Sequence, residues 1–225
     1  MRHLVTGAGS GIGAALADAL HARGDDLVLL ARSPERAEDL AAHYPGAQVI
    51  VADLAAPGSV GPVELPGRLD SVVHAAGVVA LGEVAGLEEE ALRTQLEVNL
   101  VAPILLTRAA LPALRAARGT VVFVNSTAGL TASAAWAAYA SSKAGLRAVA
   151  DALRAEEAQR GVRVTTVFPS RTATPMQAQV HAEEGRDYDP ADWMSAASVA
   201  ASIVHVLDLP IDVVAPEIVL RSNAR

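Results

Sequence analysis

Cysteine is absent from the 225 residues, which removes disulfides, thiolate nucleophiles and cysteine-ligated metal clusters from the available chemistry. Aromatic side chains are scarce at 3%, so the 52% hydrophobic content rests on alanine, valine and other aliphatics; that is the composition of buried strands. Cationic charge is in deficit, with a formal net charge of -7. Such a balance offers no broad positive field to a nucleic acid, and any phosphate site has to be local, built from glycine amides or a single arginine. Also missing is an uninterrupted apolar run of about 18 residues; the first apolar stretch is broken at Gly7, Gly9, Gly11 and Gly13. The expectation is neither a signal peptide nor a membrane span, with the cytoplasm as compartment. His3, His21, His43, His74, His181 and His205 are scattered without ligand spacing, so no metal is expected. Glu88, Glu89 and Glu90 open a predicted helix, where the macrodipole accommodates carboxylates without any ion.

What is present is an alternation of short apolar runs with longer stretches of helical period, the βαβ rhythm of a parallel sheet covered on both faces. Seven strands are predicted, near Arg2 to Thr6, Leu27 to Leu30, Ala47 to Val51, Ser71 to Ala75, Thr120 to Val124, Arg163 to Phe168 and Ile211 to Leu220. Helices are predicted at Gly11 to Ala22, Pro34 to His43, Leu87 to Ala117, Tyr139 to Arg160 and Ala196 to Leu207. Pro57, Gly58, Gly61, Pro62, Pro66 and Gly67 crowd the stretch from Ala55 to Arg68, so the crossover there should be a turn or loop. Between Arg171 and Ser195, prolines and charges interrupt any period, and a connection that long reads as a substrate loop. The length suits one α/β domain spanning 1–225.

Thr6-Gly7-Ala8-Gly9-Ser10-Gly11-Ile12-Gly13 follows the first strand and opens the first helix, which aims backbone N–H groups at the place where a pyrophosphate would sit. The glycine spacing differs from G-x-G-x-x-G. At the far end of the second strand stands Arg32, where an acidic residue would bind the ribose of NAD and an arginine accommodates the 2'-phosphate of NADP. Asp25 and Asp26 precede that strand, at the opposite end from the crevice. Should the 2'-phosphate be read elsewhere, Arg171 is the next candidate. Asp53 ends the third strand at the same edge and either accepts from the adenine amino group or caps a turn.

Tyr139 and Lys143 are four apart in a helical stretch, and Ser126 lies just past the fifth strand at the glycine-loop edge, so three polar groups converge where open α/β sheets bind ligands. An ammonium about 5 Å from a phenol lowers its pKa by roughly two units. Tyr139 would then give or take a hydroxyl proton while Lys143 tunes it and holds the nicotinamide ribose; Ser126 would orient the substrate oxygen. Asn99 precedes Pro103 by four residues. Its carbonyl is thereby left free to hold a water that relays protons from Lys143, or else the proline merely kinks the helix.

With Asp53-Leu54, Ala75-Ala76-Gly77 and a thirteen-residue separation of Ser126 from Tyr139, the chain resembles the short-chain dehydrogenase/reductase family over nearly its whole length. That resemblance implies a three-layer, doubly wound Rossmann-type α/β fold around a mostly parallel seven-stranded sheet. It also implies a catalytic tetrad of Asn99, Ser126, Tyr139 and Lys143. Cofactor contacts follow for Gly7, Ser10, Gly11, Ile12, Gly13, Arg32, Asp53, Leu54, Ala76 and Gly77, and, beside the nicotinamide, for Asn99, Tyr139, Lys143, Pro169, Thr172 and Thr174. NADP(H) is the implied cofactor and a small carbonyl or alcohol compound the substrate. A homodimer or homotetramer would form through the helices Leu87 to Ala117 and Tyr139 to Arg160. Departures are His74 where many members carry asparagine, Ser170 in place of a glycine in the segment Phe168 to Thr174, and a shortened crossover and C-terminal end.

Trp136, Met176, Tyr188, Trp193 and Met194 either line an apolar substrate pocket or simply pack. Two other functions share parts of this pattern. A sensor of NADP(H) would not need Ser126, Tyr139 and Lys143 together, and a sugar-nucleotide epimerase would need more chain after Thr174 than is present.

Overall fold

The computed structural model describes residues 1–61 and 63–223; Pro62 lies outside them. Seven strands form one sheet: β1 (Arg2–Thr6), β2 (Asp26–Ala31), β3 (Gln48–Val51), β4 (Ser71–His74), β5 (Thr120–Val124), β6 (Arg163–Pro169) and, after two short strands, β9 (Glu217–Leu220). Their order is β3-β2-β1-β4-β5-β6-β9, and every pairing is parallel. The short pair β7 (Thr172–Ala173) and β8 (Met194–Ser195) forms a separate ribbon.

Alternation along the strands fills both faces. Leu4, Val72, Val121 and Phe123 enter one cluster, while Val5, Val73, Val122 and Val124 enter the other, as successive side chains on a pleated strand must. The second cluster is covered by α1 (Gly11–Ala22), α2 (Pro34–His43) and α7 (Ala196–Leu207). The first is covered by α4 (Ala102–Ala117) and α5 (Ala137–Glu157). The result is the doubly wound, three-layer Rossmann-type architecture. Because the chain leaves β3 and returns on the far side of β1, the strand order reverses between β1 and β4, which opens a crevice above their C-terminal ends.

Several boundaries differ from the sequence expectation. The long helix expected from Leu87 to Ala117 is α3 (Glu89–Leu96), a π-helical turn at Glu97–Val101, and α4. Pro103 has no N–H to donate to Asn99, and the ladder slips by one residue, with the amide of Ala102 donating to the Glu97 carbonyl. Glu89 to Ala117 is long and apolar enough to cross a membrane, which the sequence reading did not anticipate. In this fold its inner stripe of Leu106, Ala110 and Leu114 is fully buried on the sheet.

The segment from Arg171 to Ser195 is more structured than a loop. It holds β7, the helix α6 (Pro175–Glu183) and β8. Thr174 caps α6 by accepting from the Gln177 amide, with Pro175 in the first turn; that start signal lay in the sequence. The last strand is confined to Glu217–Leu220, because Pro210 and Pro216 each lack the N–H that a ladder needs. Between β3 and β4 the only regular element among the described residues is the 3-10 turn Pro57–Ser59, as the proline and glycine density required.

Candidate active site

Four strand ends carry the site: β1 into Gly7 to Gly13, β4 into Ala75-Ala76-Gly77, β5 into Asn125-Ser126, and β6 into Ser170-Arg171. The first two touch. Gly7 has φ +75°, and a Cβ there would lie 2.8 Å from the Ala76 nitrogen, so only glycine lets these backbones approach. Thr6 ties the same strand ends through its Oγ1, which accepts from the amides of Ala75 and Ala76, each at 3.1 Å.

Two cavities meet here. One, of about 550 Å³, is lined by Gly7, Ser10 and Gly11, by Arg32 beyond β2, and by Asp53 and Leu54 beyond β3. The other, of about 810 Å³, is lined by Ser126, Tyr139, Lys143, Pro169 and Thr172. Ile12, Ala76, Gly77 and Thr174 line both. Gly13 and Asn99 line neither. A Cβ on Gly13 would drive into the Gly7 carbonyl, so its place is the packing of α1 against its own loop. Gly13→Ala is expected to cost about 1–3 kcal/mol of stability through forced displacement and to weaken cofactor binding. Thermal melting and cofactor titration check both effects.

Asn99 is 1% exposed. Its Nδ2 donates to the Val78 carbonyl at 2.9 Å and to Ser142 Oγ at 3.1 Å, while its Oδ1 accepts from the Val78 amide at 2.9 Å. The side chain thus fastens the segment that follows Gly77 to α5, a tie that the expectation of a carbonyl-held water had not included. Asn125, which sequence reasoning missed, does the same for Ser126: its Nδ2 donates to the Lys143 carbonyl at 2.9 Å and its Oδ1 accepts from the Ser126 amide at 2.8 Å. Asp53 behaves as a turn residue, accepting from the Ala55 amide at 3.0 Å, while it also borders the smaller cavity. Thr172 donates to the Ser170 carbonyl at 2.9 Å.

The inward stripe of α5 explains why Tyr139 and Lys143 face the crevice. Leu146, Ala150 and Leu153 sit on the core, and counting back by three and four reaches Lys143 and Tyr139. Where the sheet ends, the same stripe bears polar groups. Lys143 Nζ lies 5.7 Å from the Tyr139 ring centre and donates to the Val124 carbonyl at 3.0 Å. Burial pushes the Tyr139 phenol up to about 12, against the opposing pull of the Ser126 hydroxyl. Burial also brings Lys143 down to about 8. Burial is thus the leading influence on the phenol and the Ser126 hydroxyl the one that opposes it. Burial favours the neutral phenol.

His74 packs rather than ligates. It shares a hydrogen bond of 2.8 Å with Thr107 Oγ1, stacks on Phe123 at 5.0 Å, and is held by burial, then by the Lys143 charge, at about 3, so it stays neutral. Among the described residues no group of acidic or imidazole side chains could hold a metal ion. Trp136 and Met176 line the larger cavity. Tyr188 and Trp193 instead pack on His181, each at 5.2 Å, and Met194 packs on the sheet cluster. Arg171 belongs to the larger cavity, away from Arg32. The residue that joins Arg32 is Arg36, one turn into α2, whose guanidinium lies 3.1 Å from where a Gly9 Cβ would be.

The model of the short chain dehydrogenase family matches residues 2–185. The chain belongs to that family. It is an oxidoreductase, and the family's cofactor is a nicotinamide dinucleotide. This family member is 29% identical, over 97% of its own length and 95% of the other's, to an uncharacterized oxidoreductase of Staphylococcus epidermidis. Among solved structures it is similar to an alcohol dehydrogenase from the archaeon Thermococcus sibiricus complexed with 5-hydroxy-NADP, with TM-score 0.86 and 27% identity over 100% of this chain and 97% of that one. A short-chain dehydrogenase from Sphingobium yanoikuyae in complex with NADPH matches with TM-score 0.82 and 25% identity over 99% and 87%. The residues present fit such a cofactor. The Cβ-free approach of Gly7 to Ala76 leaves the backbone bare at the start of α1, and the two cavities run continuously from Arg32 to Tyr139 through Ile12, Ala76 and Gly77.

Proposed function

We propose that the protein reduces a ketone or aldehyde to an alcohol, reversibly, with NADP(H), and that Tyr139 transfers the proton. The observation that carries this reading is the convergence of Ser126, Tyr139 and Lys143 on one cavity that continues into the glycine-loop cavity. When bound, the cofactor supplies or accepts the hydride. Tyr139, neutral up to about 12, donates its proton to the carbonyl oxygen as charge develops there, and Ser126 Oγ orients that oxygen. Lys143 holds the nicotinamide ribose, and Asn99 and Asn125 keep the strand ends at fixed distances from α5 without touching substrate. Purified protein with NADPH and a panel of ketones and aldehydes, followed at the nicotinamide absorbance, should show turnover. Tight NADPH binding with no turnover across the panel gives the site to sensing instead.

Arg32 is the proposed reader of the 2'-phosphate. A charge-assisted hydrogen bond contributes about 1.5–3 kcal/mol, roughly a ten- to hundredfold preference. Arg32→Asp is expected to shift the NADPH-to-NADH ratio of kcat/KM by about that factor toward NADH. An unchanged ratio passes the role to Arg36.

A further inference from the structure

Arg171 is held in an unusual way at the far wall of the larger cavity. Its guanidinium carbon lies 5.6 Å from the Trp193 ring centre and 6.0 Å from that of Trp136, and Trp136 in turn meets the Tyr139 ring edge-on at 5.7 Å. Two ring contacts therefore separate the guanidinium from the phenol. One of its nitrogens, Nη2, donates to Glu184 Oε1 at 2.6 Å. The other, Nη1, has no hydrogen-bond partner, in a side chain that is 28% exposed, while Glu184 Oε2 faces Arg186 Nη1 at 3.6 Å. A charged donor left unmade costs stability, and a binding site is one place where such a cost persists. Arg221 also lines this cavity. It is placed there by β9, where the amide of Ser170 donates to the Leu220 carbonyl at 2.8 Å and that of Ser222 to Ser170 Oγ at 3.1 Å.

We propose that the substrate is a small hydroxy acid, or its oxo form, whose carboxylate is bound by Arg171 with Arg221 while its alcohol or carbonyl carbon faces Tyr139. This rests on the reading of Tyr139 and Ser126 as the reacting end. Leaving Lys143 to the cofactor ribose, Arg171, Arg221 and Arg186, which lies 3.6 Å from Glu184 Oε2, outnumber that one glutamate and leave net positive charge beyond Tyr139. A carboxylate complements that charge. Geometry agrees, since a guanidinium presents paired N–H groups in the plane of a carboxylate. Glu184 fixes the plane by occupying one side of the fork, and the two indoles hold it face-on. In oxidation, the substrate C–H bond breaks with its electron pair passing as hydride to the oxidised nicotinamide. The O–H proton passes to Tyr139 once its phenol has released its own proton, which burial opposes, so oxidation is followed at alkaline pH; a C=O bond forms, and reduction is the reverse.

The test uses matched probes: 2-hydroxybutanoate, 3-hydroxybutanoate and 4-hydroxypentanoate with NADP+, each beside its neutral amide, and butan-2-ol. At least one acid should exceed its own amide by about tenfold or more in kcat/KM, the worth of one charge-assisted contact. Arg171→Gln should remove that advantage mainly through KM and leave the amides and butan-2-ol within about threefold. Glu184→Gln, which takes a negative charge from the anion's surroundings, should lower KM for the acids; a merely structural pair would not respond that way. Arg221→Gln serves as the milder variant should Arg171→Gln fold poorly. Binding of butanoate, which cannot react, is read separately by its effect on the melting temperature of the NADP+-saturated protein. Equal use of acids and amides by the parent enzyme, or equal butanoate binding by parent and Arg171→Gln, overturns the assignment. Butanoate binding that depends on Arg171 without turnover of any alcohol would sustain the anion site and sink the oxidoreductase reading of Tyr139 instead.

Discussion

Tyr139→Phe is expected to lower turnover by about 10²–10⁴-fold, the range of a positioned proton donor, with NADPH affinity nearly unchanged. The substitution removes one oxygen and leaves the packing. The ring keeps its edge-on contact with Trp136 at 5.7 Å and its place in the small cluster with Val79 and Val180. A phenol held up to about 12 by burial is a poor phenolate and a persistent acid, so its loss bears on the proton step rather than on the charge of the cofactor pocket. The melting temperature should hold or fall slightly, because the hydroxyl that is removed is paired with that of Ser126. Steady-state rates with NADPH, beside cofactor titration by fluorescence, separate these effects. Substantial retained activity removes Tyr139 from the proton-transfer role and leaves only the nucleotide-binding crevice.

The sheet was readable in the sequence because both its faces are buried. Runs such as Thr120–Val124 and Arg163–Pro169 are almost continuously apolar or β-branched, and the turns between elements are punctuated by glycine and proline. Boundaries failed where local chemistry competes with period. The π turn before Pro103 looks like ordinary helix in a pattern of apolar spacing, since a one-residue slip changes little in the sequence. Helix α6 escaped because its apolar residues form no stripe; its buried face includes Gln177 and His181, which bond to each other at 2.9 Å. In the candidate site, Tyr139 and Lys143 were legible from helical spacing. One further signal went unused: Lys143 is the only lysine in the sequence, so arginine supplies every other side-chain cation. Arginine cannot release its proton in a protein and lysine can, which marks the position as one where a shiftable charge is kept. Asn125, Arg36 and the Arg171–Glu184 pair were illegible in a stronger sense. Their partners lie 18, 27 and 13 residues away, and only the strand ends bring them together.

Lys143→Met is expected to do two opposed things, to raise stability at neutral pH and to lower activity by about 10²-fold or more. The lysine is 3% exposed and its pKa falls from 10.5 to about 8 by burial alone. At 1.36 kcal/mol per unit, that shift is a penalty of roughly 3 kcal/mol for holding the ammonium in the folded chain. Methionine keeps the aliphatic stem and removes the charge; the cost is the bond to the Val124 carbonyl, about 1 kcal/mol. A net gain of about 1–2 kcal/mol remains at pH 7. The sign with pH follows from the direction of the shift. Below about 8 the lysine is protonated folded and unfolded, and the full penalty applies. Between about 8 and 10.5 the unfolded chain binds more protons than the folded one, so the parent gains stability as pH rises. The advantage of the variant should therefore be largest at neutral pH and shrink as pH approaches the ordinary lysine value. Denaturant unfolding of both proteins across that range measures the difference directly, and a constant difference would mean that the ammonium is not buried as the α5 stripe places it. On the proposed reading, such a trade of stability for charge is what proton transfer at this site demands, since the same burial that penalises Lys143 favours the neutral phenol of Tyr139.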